Sequence, residues 1–197
     1  MLVVGVDEVG RGALVGDLVV CAVQFSHGVE SALEGAGCEL LDSKAFTTRR
    51  RRERAYDILV NTPGVSWRIA RKSPEQIEKI GIHYAVLDAM QEASLALSKG
   101  EIDCRYLFDG KFVPADMKAM DSEAIVKGDS KVPQISAASI IAKVERDREM
   151  DELGVRHPEY GFENNAGYGT KQHIEAIRSS GLLREHRSWA RKFLQDV

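Results

Sequence analysis

The sequence predicts an α/β fold: a five-stranded mixed sheet flanked by helices. Three observations carry this. Short β-branched apolar runs of strand length recur along the chain, first at Leu2 to Val6 and then at Leu18 to Phe25. Longer stretches with helical periodicity separate the later runs, giving the order β-β-α-β-α-α-β-β-α. The link between the first two runs is short and rich in glycine, so those strands pair antiparallel, whereas the last two are reached through helical crossovers.

The first run stops at Asp7-Glu8 and passes into Val9-Gly10-Arg11-Gly12. This reads as a buried strand delivering two carboxylates into a glycine-lined turn. Neighbouring residues on a regular strand point to opposite faces, so Asp7 and Glu8 share a site only if the strand ends or bulges there. Gly10 and Gly12 can take positive φ and let a ligand approach the backbone, and Arg11 offers a planar fork of donors suited to phosphate. The same residues also fit a solvated strand end.

Ser26 to Gly37 is a surface loop or short helix. Thr47 or Thr48 caps a helix to about Asn61, with Tyr56, Leu59 and Val60 on its buried side. Five arginines between Arg49 and Arg54 crowd its first turns, as a nucleic-acid patch or a solvated face. Val65, Trp67 and Ile69 alternate with polar residues as in a strand with one wet face. Ser73-Pro74-Glu75-Gln76 is a helix start with a capping box, and Gly81 separates that helix from a longer one, Ile82 to Ser98, ended by Gly100. Cys104 to Phe108 forms a strand running into Asp109-Gly110. Ala124 to Val126 is a fifth strand, with Lys127-Gly128-Asp129-Ser130 just past it. Pro133 to Leu153 is a helix closed by Gly154. Ser136, Ser139 and Lys143, with Arg146 or Asp147 beyond, draw a polar stripe down one of its faces, read as facing phosphate; serines bonding back to their own helix would explain the hydroxyls but not the lysine. His157 to Gly169 is a loop, Thr170 caps a helix to about Ser180, and His186-Arg187 opens a last helix through Phe193.

The 197 residues are 44% hydrophobic and 29% charged, with net charge -3. The pI is about 6.0. This is not the balance of a protein that grips nucleic acid by bulk charge, so phosphate contacts must be local. No run reaches membrane-spanning length and no signal-peptide pattern opens the chain, so a cytoplasmic protein without a membrane partner is expected. Cys21, Cys38 and Cys104 are widely spaced and fit free thiols better than disulfides or a thiolate metal site. With no spare apolar helix face, a monomer is the default.

Four acidic residues therefore lie at or just past three strand ends, where α/β folds bind ligands. Carboxylates gathered in one cleft repel each other, and hard divalent cations relieve that repulsion. Two such ions roughly 4 Å apart can drive in-line phosphodiester hydrolysis. A G-x-S-x-G elbow, a Walker A motif and H-E-x-x-H spacing are all missing. The five histidines read as surface or hydrogen-bonding residues rather than ligands.

D-E-V-G-R-G at Asp7 to Gly12, L-D-S-K at Leu41 to Lys44, F-D-G at Phe108 to Gly110 and K-G-D-S at Lys127 to Ser130 are followed by I-S-A-A-S-I-I-A-K-V-E-R-D at Ile135 to Asp147, G-Y-G-T at Gly167 to Thr170 and H-R at His186-Arg187. In this order, over nearly the whole chain, they resemble the motif set of bacterial-type ribonuclease HII, a type 2 ribonuclease H. The resemblance implies one ribonuclease H-like catalytic domain over 1–197, with 155–197 as a C-terminal loop and helical substrate-binding region. It implies an endonuclease acting on the RNA strand of RNA-DNA hybrids and cutting 5′ of single ribonucleotides embedded in duplex DNA, with 3′-hydroxyl and 5′-phosphate products, as in ribonucleotide excision repair. Asp7, Glu8, Asp109 and Asp129 match the catalytic carboxylates, which would hold two Mg²⁺ or Mn²⁺ ions. Gly10, Arg11 and Gly12 would read the ribose 2′-hydroxyl, and Tyr168 would stack on the sugar beyond the RNA-to-DNA junction. Ser43, Lys44, Ser139 and Lys143 are candidate phosphate contacts. A sliding-clamp partner is left open, no extended clamp-binding tail being read after Phe193.

Three departures accompany the match. Asp17 stands where a proline is usual and is expected to loosen the lead-in to the second strand. Ala166 replaces a lysine and should weaken backbone binding, and Ala45-Phe46 replaces lysine-leucine. The alternatives are a DNA exonuclease or junction resolvase on the same fold, which has no need of the G-R-G turn, and a hybrid-binding module that has lost catalysis, which has no reason to assemble four carboxylates.

Overall fold

Strands β1 (Leu2–Val9), β2 (Leu18–Phe25), β3 (Val65–Lys72), β4 (Cys104–Asp109) and β5 (Ser122–Ile125) form one sheet in the order β3-β2-β1-β4-β5. The computed structural model describes residues 1–41, 46–98 and 103–194. β1 pairs antiparallel with β2, and β2 with β3. β4 and β5 run parallel to β1. The helices are α1 (Val29–Gly35), α2 (Arg49–Asn61), α3 (Pro74–Ile80), α4 (Ile82–Ser98), α5 (Pro133–Arg156), α6 (Phe162–Asn165) and α7 (Lys171–Ser180). Single 3-10 turns lie at Ala115–Met117, Gly128–Ser130 and Pro158–Tyr160, and a longer one at Ser188–Leu194.

The strand alternation explains the two main cores. Val4, Val6, Leu18, Val20 and Ala22 face Ala89, Met90 and Ala93 of α4. Val19, Cys21 and Val23 face Leu59 of α2 and Ala138 and Ile141 of α5. With helices on both sides, β2 is apolar in both registers and reads as a continuous run. A third cluster joins Leu14, Val15, Met150 and Leu153 to Tyr160, Phe162, Ile177 and Ala190. It packs the segment 160–193 against the turn that follows β1. α5 lies directly on β1 because β1 carries a glycine there: a Cβ on Gly5 would come within 2.4 Å of the backbone of Gln134 and Ile135. Among the described residues, no helix is long and apolar enough to cross a membrane.

The expected caps are present. Thr48 accepts from the Arg51 amide and Thr170 from the His173 amide, and Ser73 and Gln76 close a reciprocal box. Cys21, Cys38 and Cys104 are buried and form no disulfide. Several boundaries differ from expectation. β1 does not stop at Asp7-Glu8 but continues to Val9, because β2 goes on pairing with it as far as Val9↔Val19. β5 begins earlier, at Ser122, and ends before Val126. α5 runs through Gly154 to Arg156; that glycine is a close-contact position, where a Cβ would meet the Glu163 carboxylate at 3.1 Å. The stretch 157–169 is not all loop, since it holds a 3-10 turn and α6. The last helix is 3-10 and starts after His186-Arg187. Ser26 to Gly37 contains a short helix, α1, while Gly100 lies outside the described residues.

Two arginines of the α2 run, with Glu53, form ion pairs to α5. Arg49 pairs with Asp151, Arg52 with Asp147 at 3.7 Å, and Glu53 of α2 with Arg148 at 2.6 Å. Acidic residues of α5 thus offset cations that oppose the α2 dipole.

Candidate active site

β1 and β4 bring three carboxylates together. Single oxygens of Asp7, Glu8 and Asp109 all lie within 4.8 Å of one another. This convergence does not need a bulge or an early strand end. The β1–β4 ladder finishes at Val6↔Phe108, so beyond that pair β1 keeps a partner on the β2 side only. Asp7, Glu8 and Asp109 gather at the edge so opened. The Glu8 amide donates to Asp7 Oδ1 at 2.7 Å, and the Gly128 amide donates to Asp109 Oδ1 at 2.6 Å.

Burial raises the Asp7 carboxyl well above the usual range, and the charges of Glu8 and Asp109 push the same way; the Ser139 hydroxyl beside it favours the ionised form. Glu8 is raised by burial and by Asp109, with Arg11 opposing at 3.7 Å. A site of this kind favours a bound proton or a bound cation. The donors are all carboxylate oxygens, which suits a hard divalent ion.

The turn after β1 is fixed from below by two buried arginines. Arg187 donates from Nη1 to the Gly10 carbonyl at 2.6 Å and from Nε to the Gly16 carbonyl at 2.9 Å. Arg146 donates to the carbonyls of Val15, Asp17 and Ala166 at 3.1, 3.2 and 2.7 Å. Gly10 has φ +89°, and a Cβ there would stand 2.4 Å from Arg146 Nε, so only glycine fits on both counts. Gly12 differs from expectation: its φ is not positive. Arg11 and Gly12 are exposed. Asp17 does not leave its segment untethered, since Arg146 holds its carbonyl.

Along α5 the polar stripe is narrower than the sequence suggests. Ser139 lies beside Asp7. Lys143 is half-buried, bonded to Asp147 at 2.5 Å and 5.9 Å from the centre of the Tyr168 ring. Ser136 instead is buried and donates to the Leu40 carbonyl, and Arg146 is fully buried beneath the turn. Both belong to the packing side rather than to a phosphate-facing row. Tyr168 is half-buried on the loop above, with Arg146 5.4 Å from its ring centre. Asp129 is exposed on the 3-10 turn whose buried Gly128 amide binds Asp109, next to the carboxylate group but not in it. Ser43 and Lys44 fall outside the described residues.

The sequence places Arg146 in a phosphate-facing stripe, whereas it is buried beneath the turn; Arg187 and the buried histidines are given no individual role by the sequence. His173 and His186 are 0% and 8% exposed, so they are hydrogen-bonding rather than surface residues. The only signal for Arg187 is the H-R pair near the C-terminus.

A sequence model of the family described as ribonuclease HII matches residues 4–196. The chain is 45% identical over 186 residues to the ribonuclease HII of Vibrio campbellii, covering 94% of this chain and 82% of that protein. It is 42% identical over 189 residues to that of Neisseria meningitidis serogroup B, covering 95% and 91%. Among solved structures, the PCNA:RNase HII complex from Archaeoglobus fulgidus aligns with a TM-score of 0.75 at 26% identity, over 95% of this chain and 94% of that one. Ribonuclease H2 from Pyrococcus horikoshii aligns with a TM-score of 0.74 at 26% identity, over 98% and 97%. The sheet order, the carboxylates at the β1–β4 edge and a match over nearly the whole length agree: the chain belongs to the ribonuclease HII family, metal-dependent endoribonucleases that cleave the RNA of RNA-DNA hybrids.

Proposed function

We propose that this chain also incises duplex DNA on the 5′ side of a single embedded ribonucleotide, leaving 3′-hydroxyl and 5′-phosphate ends, and so opens the repair of misincorporated ribonucleotides. The observation that carries the reading is the adjacency of the Asp7, Glu8 and Asp109 cluster to the turn at Gly10, the first residue past β1. Asp7, Glu8 and Asp109, with Asp129 from the neighbouring 3-10 turn, would hold two divalent ions, Mg²⁺ or Mn²⁺. When bound, such ions supply the Lewis acidity that activates water and stabilises the leaving oxygen of an in-line displacement.

The remaining work falls to the chain itself. The backbone of Gly10, Arg11 and Gly12 reads the 2′-hydroxyl, the group that distinguishes RNA from DNA at one nucleotide. The buried arginines support this role, because they hold the carbonyls on either side of the turn without occupying its outer face. Tyr168 stacks on the sugar past the junction. Ser139 and Lys143 follow the scissile strand from the carboxylates to Tyr168, and Ser43 and Lys44 are proposed phosphate contacts. The chain is proposed to act as a single catalytic unit, with residues 155–197 contributing the loop and helices that carry Tyr168; the third core cluster supports this division.

The test is Asp7→Asn on an RNA-DNA hybrid. The variant is expected to bind the hybrid with near-native affinity while cleavage falls below detection. Cleavage at the native rate would remove Asp7 from the reaction.

A further inference from the structure

His173 and His186 form a buried pair with one consistent proton pattern. The Leu183 amide donates to His186 Nδ1 at 2.9 Å, so that nitrogen carries a lone pair and the proton of the neutral ring sits on Nε2. His186 Nε2 faces His173 Nε2 at 3.2 Å. At the far end, His173 Nδ1 lies 2.9 Å from the Tyr168 carbonyl, which can only accept. His173 therefore carries its proton on Nδ1 and accepts on Nε2. The chain of donation runs from Leu183 through His186 and His173 to Tyr168. Burial holds both rings toward the neutral state this pattern needs.

Packing alone does not call for two imidazoles here. The pair lies among the rings of Tyr160 and Phe162, where apolar side chains would fill the volume at no desolvation cost. What the histidines add is direction at the Tyr168 peptide. That carbonyl also accepts from the Thr170 amide at 2.8 Å, and the Tyr168 amide donates to the Asn165 carbonyl at 2.9 Å. The peptide groups on both sides of Tyr168 are thus fixed while its ring stays half-exposed. The next residue in the chain after His186 is Arg187, which holds Gly10.

We propose that His186 and His173 are positioning residues for substrate discrimination, setting the Tyr168 loop relative to the Gly10 turn that the adjacent Arg187 holds. This rests on the reading of Tyr168 as a sugar-stacking residue. Nitrogen-15 correlation spectra of the wild-type imidazoles test the relay without substrate: His173 is expected as the Nδ1-H tautomer and His186 as Nε2-H. Any other pair of tautomers overturns it.

The second arm compares kcat/KM on a duplex with one ribonucleotide and on a uniform RNA-DNA hybrid. His173→Asn keeps a donor near the Nδ1 position, whereas His173→Gln presents its amide near Nε2 and leaves the Tyr168 carbonyl short of one donor. His173→Gln is expected to lower the single-ribonucleotide value relative to the hybrid by about tenfold, mainly through KM, while His173→Asn restores most of it. Equal behaviour of the two variants, or no change in the ratio, overturns the proposal. Tyr168→Ala separates the two readings: if it leaves the ratio unchanged, the stacking role fails, while the tautomer result stands on its own. Should the variants not fold, the wild-type spectra decide.

Discussion

Arg187 donates to the Gly10 carbonyl at 2.6 Å across 177 positions of sequence, so the end of the chain holds the turn that follows its first strand. Burial and the neighbouring Arg146 bring the Arg187 guanidinium down to about 10, still charged at neutral pH. The pair works by solvating backbone carbonyls with a fixed fork, which an ammonium cannot copy. Arg187→Lys should leave the Gly16 carbonyl unpaired, or the Gly10 carbonyl with only the Ala13 amide at 3.3 Å, and cost about 2 kcal/mol in urea denaturation. Cleavage at single ribonucleotides should fall further than cleavage of long hybrids.

The carboxylate cluster makes a prediction about stability that does not depend on turnover. Removing Asp7, the buried member of three crowded carboxylates, should relieve repulsion, so metal-free Asp7→Asn is expected to melt no lower than metal-free wild type. Adding Mg²⁺ at a hundredfold excess over its dissociation constant should stabilise wild type by about 2.7 kcal/mol through mass action. The variant should gain much less. Thermal melts with chelator and with Mg²⁺ check both statements.

Gly5 tests the contact that seats α5 on the central strand. A methyl group there meets backbone atoms of Gln134 and Ile135 at 2.4 Å, and neither can rotate away. Gly5→Ala should destabilise the fold by about 3 kcal/mol, at the upper end of overpacking costs. Since the same contact sets Ser139 beside Asp7, the residual folded protein should also be slower.

The buried histidines give a pH dependence with a definite sign. Burial, then the neighbouring His173 and more weakly His157, lower His186 from the usual 6.5 to about 4. A folded-state value below the unfolded one means that the unfolded chain takes up the proton first. The stabilising contribution is therefore complete above about pH 6.5 and is lost as pH falls toward 4; its full size is at most about 3 kcal/mol. Denaturation midpoints measured from pH 7.5 to 4.5 should fall, and His186→Phe, if folded, should flatten the curve.

Ala166 has φ +47° and lends its carbonyl to Arg146. Ala166→Lys would add a cation beside the Tyr168 loop without removing that bond. One added phosphate contact should steepen the salt dependence of duplex binding by about 0.9 in log-log slope, as measured by fluorescence anisotropy. An unchanged slope would mean that position 166 does not reach the backbone.

Local chemistry made much of this fold legible. The β-branched runs at Leu2 and Leu18 and the Ser73 capping box depend on near neighbours, and they appear where expected. The four motif carboxylates could be named, and three of them converge. What was not legible is non-local. Gly154 follows a helical pattern and looks like a stop, but its neighbour Glu163 comes from another segment. The shared edge of Asp7 and Glu8 exists because a strand a hundred residues away stops pairing at Phe108. Arg146 has the periodicity of an exposed stripe and is buried only because the 10–17 and 166–168 segments close over it.

The most direct measurement of the central claim is cleavage of an end-labelled DNA duplex carrying one ribonucleotide, with Mg²⁺, with Mn²⁺ or with chelator, beside an all-DNA control. A single metal-dependent cut just 5′ of the ribonucleotide, with the control intact, is the predicted result. Equal cutting of the control would contradict the role given to Gly10, Arg11, Gly12 and Tyr168, and no cutting of the ribonucleotide duplex under any metal would contradict the proposed incision itself.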